Sequence, residues 1–328
     1  MFRKLVFIAV GLAIVVVMVG AYVRLQDAGL GCPDWPGCYG HFVGVPEHAE
    51  DVARAAQAFP GRAVESHKAW KEMFHRYLAG TLGALIAAIM VVAWLKRHSL
   101  RQSPLLATAI AALVAVQATL GMWTVTLLLK PAIVTLHLLG GMATLAMLTW
   151  LALRQLPLPL ASDSAHRLRP WAVIGLTIVA CQIALGGWVS ANYAALACLD
   201  FPTCRGGAWM PNMDFAHGFQ FARELGMTAA GMPLGIEALT AIHWTHRVGA
   251  LVTLIYAGAL ALALLRSPGF AKHGLALALL LVLQAGLGIF NVVAGLPLAV
   301  AVAHNGVAAT LIALLTVINF ALSRRASA

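Results

Sequence analysis

The stretch Gly20-Ala-Tyr-Val-Arg-Leu-Gln-Asp-Ala-Gly-Leu-Gly-Cys32-Pro-Asp-Trp-Pro-Gly-Cys38 returns later in the chain as Gly186-Gly-Trp-Val-Ser-Ala-Asn-Tyr-Ala-Ala-Leu-Ala-Cys198-Leu-Asp-Phe-Pro-Thr-Cys204. Each copy starts at the end of an apolar run and passes into a polar segment with a Cys-x5-Cys pair. The offset of 166 or 167 residues holds elsewhere. Gln117-Ala-Thr-Leu-Gly-Met-Trp lies over Gln284-Ala-Gly-Leu-Gly-Ile-Phe, and His137 lies over His304. His75-Arg76 meets His246-Arg247 at a slightly larger offset. Self-similarity at a long, fixed period marks a duplicated architecture, here with units 1–155 and 156–328.

Outward from the repeat, the chain is strongly apolar. Of its 328 residues 61% are hydrophobic and only 10% charged, and the mean hydropathy is +0.85, which excludes a soluble domain of ordinary composition. A helix needs about 20 mostly apolar residues to cross the hydrocarbon core. Eight stretches qualify, roughly 5–23, 76–95, 105–128, 132–153, 171–191, 246–265, 275–294 and 299–321. Backbone groups in lipid must be satisfied internally, so these stretches read as helices. The fold class is therefore an all-α integral membrane protein, with eight transmembrane helices as two pseudo-symmetric four-helix bundles. An even number of spans per unit gives the halves the same orientation, related by an axis along the membrane normal. The first stretch follows Met-Phe-Arg-Lys like a secretory signal. It runs on into Tyr22-Val23-Arg24 without a small-residue cleavage site, so it is expected to be retained.

The net charge of +10 forms no basic stripe of the kind that binds nucleic acid. It reports topology instead. Arg3 and Lys4, Lys96, Arg97 and Arg101, Arg154, Arg167 and Arg169, Arg266 and Lys272, and Arg324 and Arg325 all fall on one side of an eight-pass arrangement. The positive-inside rule makes that side cytoplasmic, with both termini. The other side carries two long polar loops, 24–74 and 192–245, and two short turns at Lys130-Pro131 and Leu296-Pro297. Small residues such as Gly80, Gly83, Ala84, Gly286 and Gly288 are expected to allow close helix approach, and surfaces of this kind leave a homo-oligomer open.

Of the twelve histidines, His41, His48, His67 and His217 fall in the outer loops, and His98, His166 and His273 on the inner side. An imidazole inside a membrane helix is costly and marks a site. His75 and His246 sit at the outer starts of the second and sixth spans, and His137 and His304 a short way into the fourth and eighth. The second and fourth spans run in the same direction, so His75 and His137 share a depth near the outer face, and His246 with His304 repeat the pattern. Two neutral imidazoles converging from neighbouring helices suit the axial positions of heme iron, and a bundle core supplies the apolar slot. Zinc would want further ligands. Arg76 and Arg247, each next to its histidine, are candidate partners for heme propionates.

The halves differ at one place. Glu72 precedes His75 by three residues and so shares its helical face, whereas His243 stands before His246. A carboxylate in one pocket only suggests a division of labour, with Glu72 as acid, base or charge stabiliser. A solvated glutamate beside Lys68 and Lys71 is the alternative. The pairs Cys32/Cys38 and Cys198/Cys204 face an oxidising compartment in which disulfides persist. Loop stapling and exchange with a thiol-disulfide partner are both open readings. Cys181, alone in mid-helix, is expected to be a small core hydrophobe.

Taken together, Glu72-Met-Phe-His75-Arg76, His137, His246-Arg247, His304 and the Cys-x5-Cys loops resemble the heme A synthase family over nearly the whole chain. The resemblance implies a bacterial inner-membrane enzyme that oxidises a ring methyl of heme O to the formyl group of heme A, used by aa3-type cytochrome oxidases. It implies heme B as cofactor in the C-terminal half, on His246 and His304. Heme O as substrate would then lie in the N-terminal half, on His75 and His137 with Glu72 beside the reacting group. A heme O synthase that hands over the substrate and an electron-transfer partner are implied as well. The cysteines are not carried over as catalytic, and His243 has no counterpart in the motif. Two rival readings use the same residues: a diheme cytochrome b, and a membrane thiol-disulfide oxidoreductase.

Overall fold

The computed structural model describes residues 1–100, 102–157 and 160–324. Arg101 and Arg325, two of the charges used above for topology, lie outside these residues. Among the described residues eight helices are long and apolar enough to cross a membrane, and no strand is formed. They are α1 (Phe2–Leu25), α2 (Ser66–Leu95), α3 (Leu105–Thr126), α4 (Pro131–Leu153), α5 (Arg169–Ala191), α6 (Ile236–Leu265), α7 (Ala271–Val293) and α8 (Leu298–Ser323). The chain is an all-helical, multi-pass membrane protein.

Contacts follow the repeat. In the first half α1 packs on α2, α2 on α3, α3 on α4 and α4 back on α1; in the second α5, α6, α7 and α8 do the same. The halves meet where α1 touches α8, α4 touches α5, and α4 touches α8. Lipid tails are as apolar as leucine, so packing rather than water exclusion must hold these helices together. The buried Leu145, Leu148 and Leu151 of α4 and Leu315 and Ile318 of α8 belong to the core of that packing. The turns repeat as well: Leu129 and Leu296 are both left-handed, with φ of 57° and 64°, as are Asp27 and Tyr193, with φ of 49° and 55°.

Two boundaries differ from the sequence reading. α2 and α6 start at Ser66 and Ile236, about ten residues before their apolar runs. Lys68, Lys71 and Glu72 interrupt hydropathy but not helix propensity, and contacts with the preceding loop carry the helix on beyond the apolar run. Consequently His67 belongs to the first turn of α2, and His75 and His246 lie well inside their helices rather than at their starts. The loops are correspondingly shorter, and the first contains a helix of its own, Ala49–Ala58. Gly80 and Gly286 face open space, so they do not mediate close helix approach. Cys181 is exposed on the outside of α5, not in a core, because its helical phase turns it away from α6 and α8.

One contact ties the halves together at repeat-equivalent positions. Arg24 Nη2 donates to the Ser190 carbonyl at 2.7 Å, and its guanidinium lies 3.9 Å from the centre of the Tyr193 ring. A charged hydrogen bond of this kind contributes about 1.5–3 kcal/mol. Arg24→Met should therefore lower the thermal unfolding midpoint in detergent by several degrees.

Candidate functional site

The two histidine pairs are built alike. His75 of α2 lies near His137 of α4, and His246 of α6 near His304 of α8. Each ring rests on a glycine of a neighbouring helix. A Cβ added to Gly20 would lie 3.0 Å from His75 Cε1, and one added to Gly186 would lie 3.1 Å from His246 Cε1. Gly121 and Gly288 stand in the same relation to His137 and His304, at 3.3 Å and 3.2 Å. Four imidazoles therefore each turn a Cε1 corner into a glycine cradle, at positions that the duplication has preserved in register. Gln182 Nε2 lies 3.0 Å from His246 Nδ1, and Gln284 Nε2 lies 3.2 Å from His304 Nε2.

Nδ1 of His75, His137 and His304 is buried without a hydrogen-bond partner. A polar atom in that state costs about 1–3 kcal/mol, and three of the four imidazoles carry one, which fits a group bound between each pair. Among the described residues no group of three or more His, Cys, Asp or Glu could hold a bare metal ion. A two-imidazole donor set among apolar helices fits an iron whose four remaining ligands come from a porphyrin.

Glu72 is buried in α2, not solvated. Its Oε2 accepts the Cys32 backbone N–H at 3.0 Å and its Oε1 accepts Arg76 Nη2 at 2.5 Å. Lys68 pairs instead with Glu65 at 2.9 Å, and Lys71 donates to Gln26 at 2.8 Å. In the second half the buried His243 occupies the place of Glu72, its Nδ1 lying 3.3 Å from the Cys198 N–H. Sequence places His243 opposite Glu72 in the repeat but shows nothing of the contact each makes with the first loop cysteine.

Both Cys-x5-Cys pairs are disulfides, Cys32–Cys38 and Cys198–Cys204. Each loop folds back through a short antiparallel bridge, Cys38 with His41 and Arg205 with Ala208. An aspartate caps each turn. Asp34 accepts the N–H groups of Tyr39 at 2.6 Å and Gly40 at 2.8 Å, and Asp200 that of Gly207 at 3.1 Å. Thiol labelling without reductant should thus reach Cys181 alone; labelling of all five cysteines would refute the pairing.

Arg76 and Arg247 turn into these loops. Arg76 Nη1 donates to the carbonyls of Asp34, Pro36 and Gly37, while Arg247 reaches those of Asp200, Thr203 and Cys198 at 2.8, 2.8 and 2.9 Å. Both guanidinium groups, expected at heme propionates, make three bonds each to loop carbonyls and one further contact each, Arg76 to Glu72 and Arg247 to His243.

The chain is an all-helical membrane protein with two repeat-related, glycine-cradled histidine pairs. The profile of the cytochrome oxidase assembly protein family matches residues 3–316. Heme A synthase of Shewanella oneidensis is 44% identical over 317 residues, covering 96% of this chain and 94% of that protein. Heme A synthase of Rhizorhabdus wittichii is 30% identical, covering 93% and 89%. That of Halalkalibacterium halodurans is 28% identical, covering 71% and 72%. The chain belongs to the cytochrome oxidase assembly protein family, whose members include heme A synthases.

Proposed function

We propose that this chain is a heme A synthase, an oxidoreductase that converts one ring methyl of heme O into the formyl group of heme A. The observation that carries the reading is the pairing of two similar histidine sites with a carboxylate beside only one. Since His243 meets the Cys198 N–H in the other half, anchoring the loop does not require a carboxylate at position 72. What Glu72 adds is a negative charge and a proton-accepting oxygen next to the substrate.

In this reading the chain works as two four-helix units, 1–155 and 156–328. His75 and His137 orient heme O so that its methyl group faces Glu72, and Gly20 and Gly121 keep both rings in place. Successive hydroxylation yields a gem-diol, which loses water to give the aldehyde. The Cys32 N–H and Arg76 fix the Glu72 oxygens, and the remaining lone pairs can take up a proton as the diol collapses. Helix packing around the slot keeps bulk water away from the reacting carbon. His246 and His304 would hold heme B, which supplies one-electron redox chemistry when bound. An electron-transfer partner outside this chain balances the oxidation of the methyl carbon, and a heme O synthase delivers the poorly soluble substrate. By charge distribution the protein lies in the bacterial inner membrane with both termini cytoplasmic and both heme sites near the outer face.

Co-expression with a heme O synthase, followed by heme extraction, tests the proposal. Heme A should appear beside heme B and heme O. Extracts with only heme B and heme O would leave the chain as a diheme cytochrome b, and the lack of any Soret band after expression with sufficient heme would sink both heme readings.

A further inference from the structure

We infer that Arg76 and Arg247 are positioning residues that latch the two disulfide loops onto the histidine-bearing helices, and that His243 is the second half's counterpart of Glu72 in this latch. The same four parts recur in each half. A residue three before the histidine meets the N–H of the first cysteine: Glu72 with Cys32 at 3.0 Å, His243 with Cys198 at 3.3 Å. An arginine one after the histidine meets that residue: Arg76 with Glu72 at 2.5 Å, Arg247 Nε with His243 Nε2 at 3.3 Å. The same arginine then binds carbonyls inside the disulfide loop, which spans Cys32–Cys38 in one half and Cys198–Cys204 in the other. In the first half the loop lies so close to α2 that a Cβ on Gly31 would come within 2.7 Å of the Ala69 nitrogen.

The two latches differ in strength. The carboxylate of Glu72 has two oxygens and serves both donors at once. A neutral imidazole carries one acceptor nitrogen and one N–H, so His243 satisfies the Cys198 N–H or Arg247 Nε–H but not both. Both of its contacts are 3.3 Å long. The second loop therefore depends more on the three carbonyl bonds that Arg247 makes itself, to Asp200, Thr203 and Cys198. A guanidinium so engaged directs at least three of its five N–H donors into the loop.

The inference rests on the proposed function only for its spectral control, the heme held by His246 and His304. In full-length protein in detergent, the disulfides are opened with dithiothreitol, and the rate at which Cys198 and Cys204 accept a maleimide is followed by mass spectrometry. Arg247→Gln should speed opening of Cys198–Cys204 about tenfold or more, the equivalent of losing one charged hydrogen bond. Arg247→Lys should restore part of the protection. His243→Glu supplies the missing acceptor and should slow opening below that of the parent, an effect that damage to folding does not produce. The heme absorption spectrum should keep its position in all three variants. If opening rates stay within about twofold of the parent while the heme potential or spectrum shifts in Arg247→Gln, the arginine serves a propionate and the latch is refuted. Absence of heme from the parent would count against the proposed function and leave the disulfide measurement intact.

Discussion

Glu72→Gln should retain the full heme complement and lose heme A formation by about 100-fold or more, the scale of a lost proton-transfer group. Glutamine keeps a carbonyl oxygen for the Cys32 N–H, now received by Glu72 Oε2 at 3.0 Å, so the loop stays seated. What disappears is the charge beside Arg76 and the ability to take up a proton. Heme extraction from cells that carry a heme O synthase reads the product, and the absorption spectrum of the same preparation reads bound heme. Unchanged product per heme would reduce Glu72 to an anchor of the first loop. Loss of all heme together with activity would make the residue structural.

Gly186→Val should abolish the heme that the proposed function assigns to His246 and His304, whereas Gly20→Val should leave that heme in place and abolish product. The geometry sets the size of the effect. A Cβ at Gly186 already comes within 3.1 Å of His246 Cε1, and at Gly20 within 3.0 Å of His75 Cε1. An alanine requires the ring to give by a few tenths of an ångström, while the branched side chain of valine forces the imidazole off its orientation in a closely packed interior. The alanine variants should accordingly fall between parent and valine. Reduced-minus-oxidised spectra separate the two halves. Equal loss of heme signal from Gly20→Val and Gly186→Val would contradict separate duties for the two sites.

The asymmetry between halves was legible before any coordinates, since Glu72 and His243 stand at matching spacing before repeat-related histidines. Its structural meaning was not. Hydropathy places Glu72 in a loop because three charged residues interrupt the apolar run. The helix nevertheless continues to Ser66, buries the carboxylate and presents it to Cys32. Arg76 and Arg247 illustrate a second limit. Sequence shows a cation beside each histidine, but a long side chain reaches several partners, and only the position of the disulfide loop decides among them. Cys181 shows a third, because in a helix apolar on all sides no pattern distinguishes the lipid-facing surface from the core.

By itself the sequence determined the membrane class, the eight spans, the duplication, the two cysteine pairs and the four histidines of interest. Those features rest on chain-local quantities: apolar length, self-similarity, and the cost of placing an imidazole in lipid. Tertiary structure decided which glycine cradles which histidine, that His243 stands in for Glu72, and that the arginines hold loops. These depend on the rotation of each helix about its own axis and on where a loop folds back. Contacts between different helices, or between a helix and a loop, at separations from 16 to about 60 residues set both, and no local pattern in the chain encodes them.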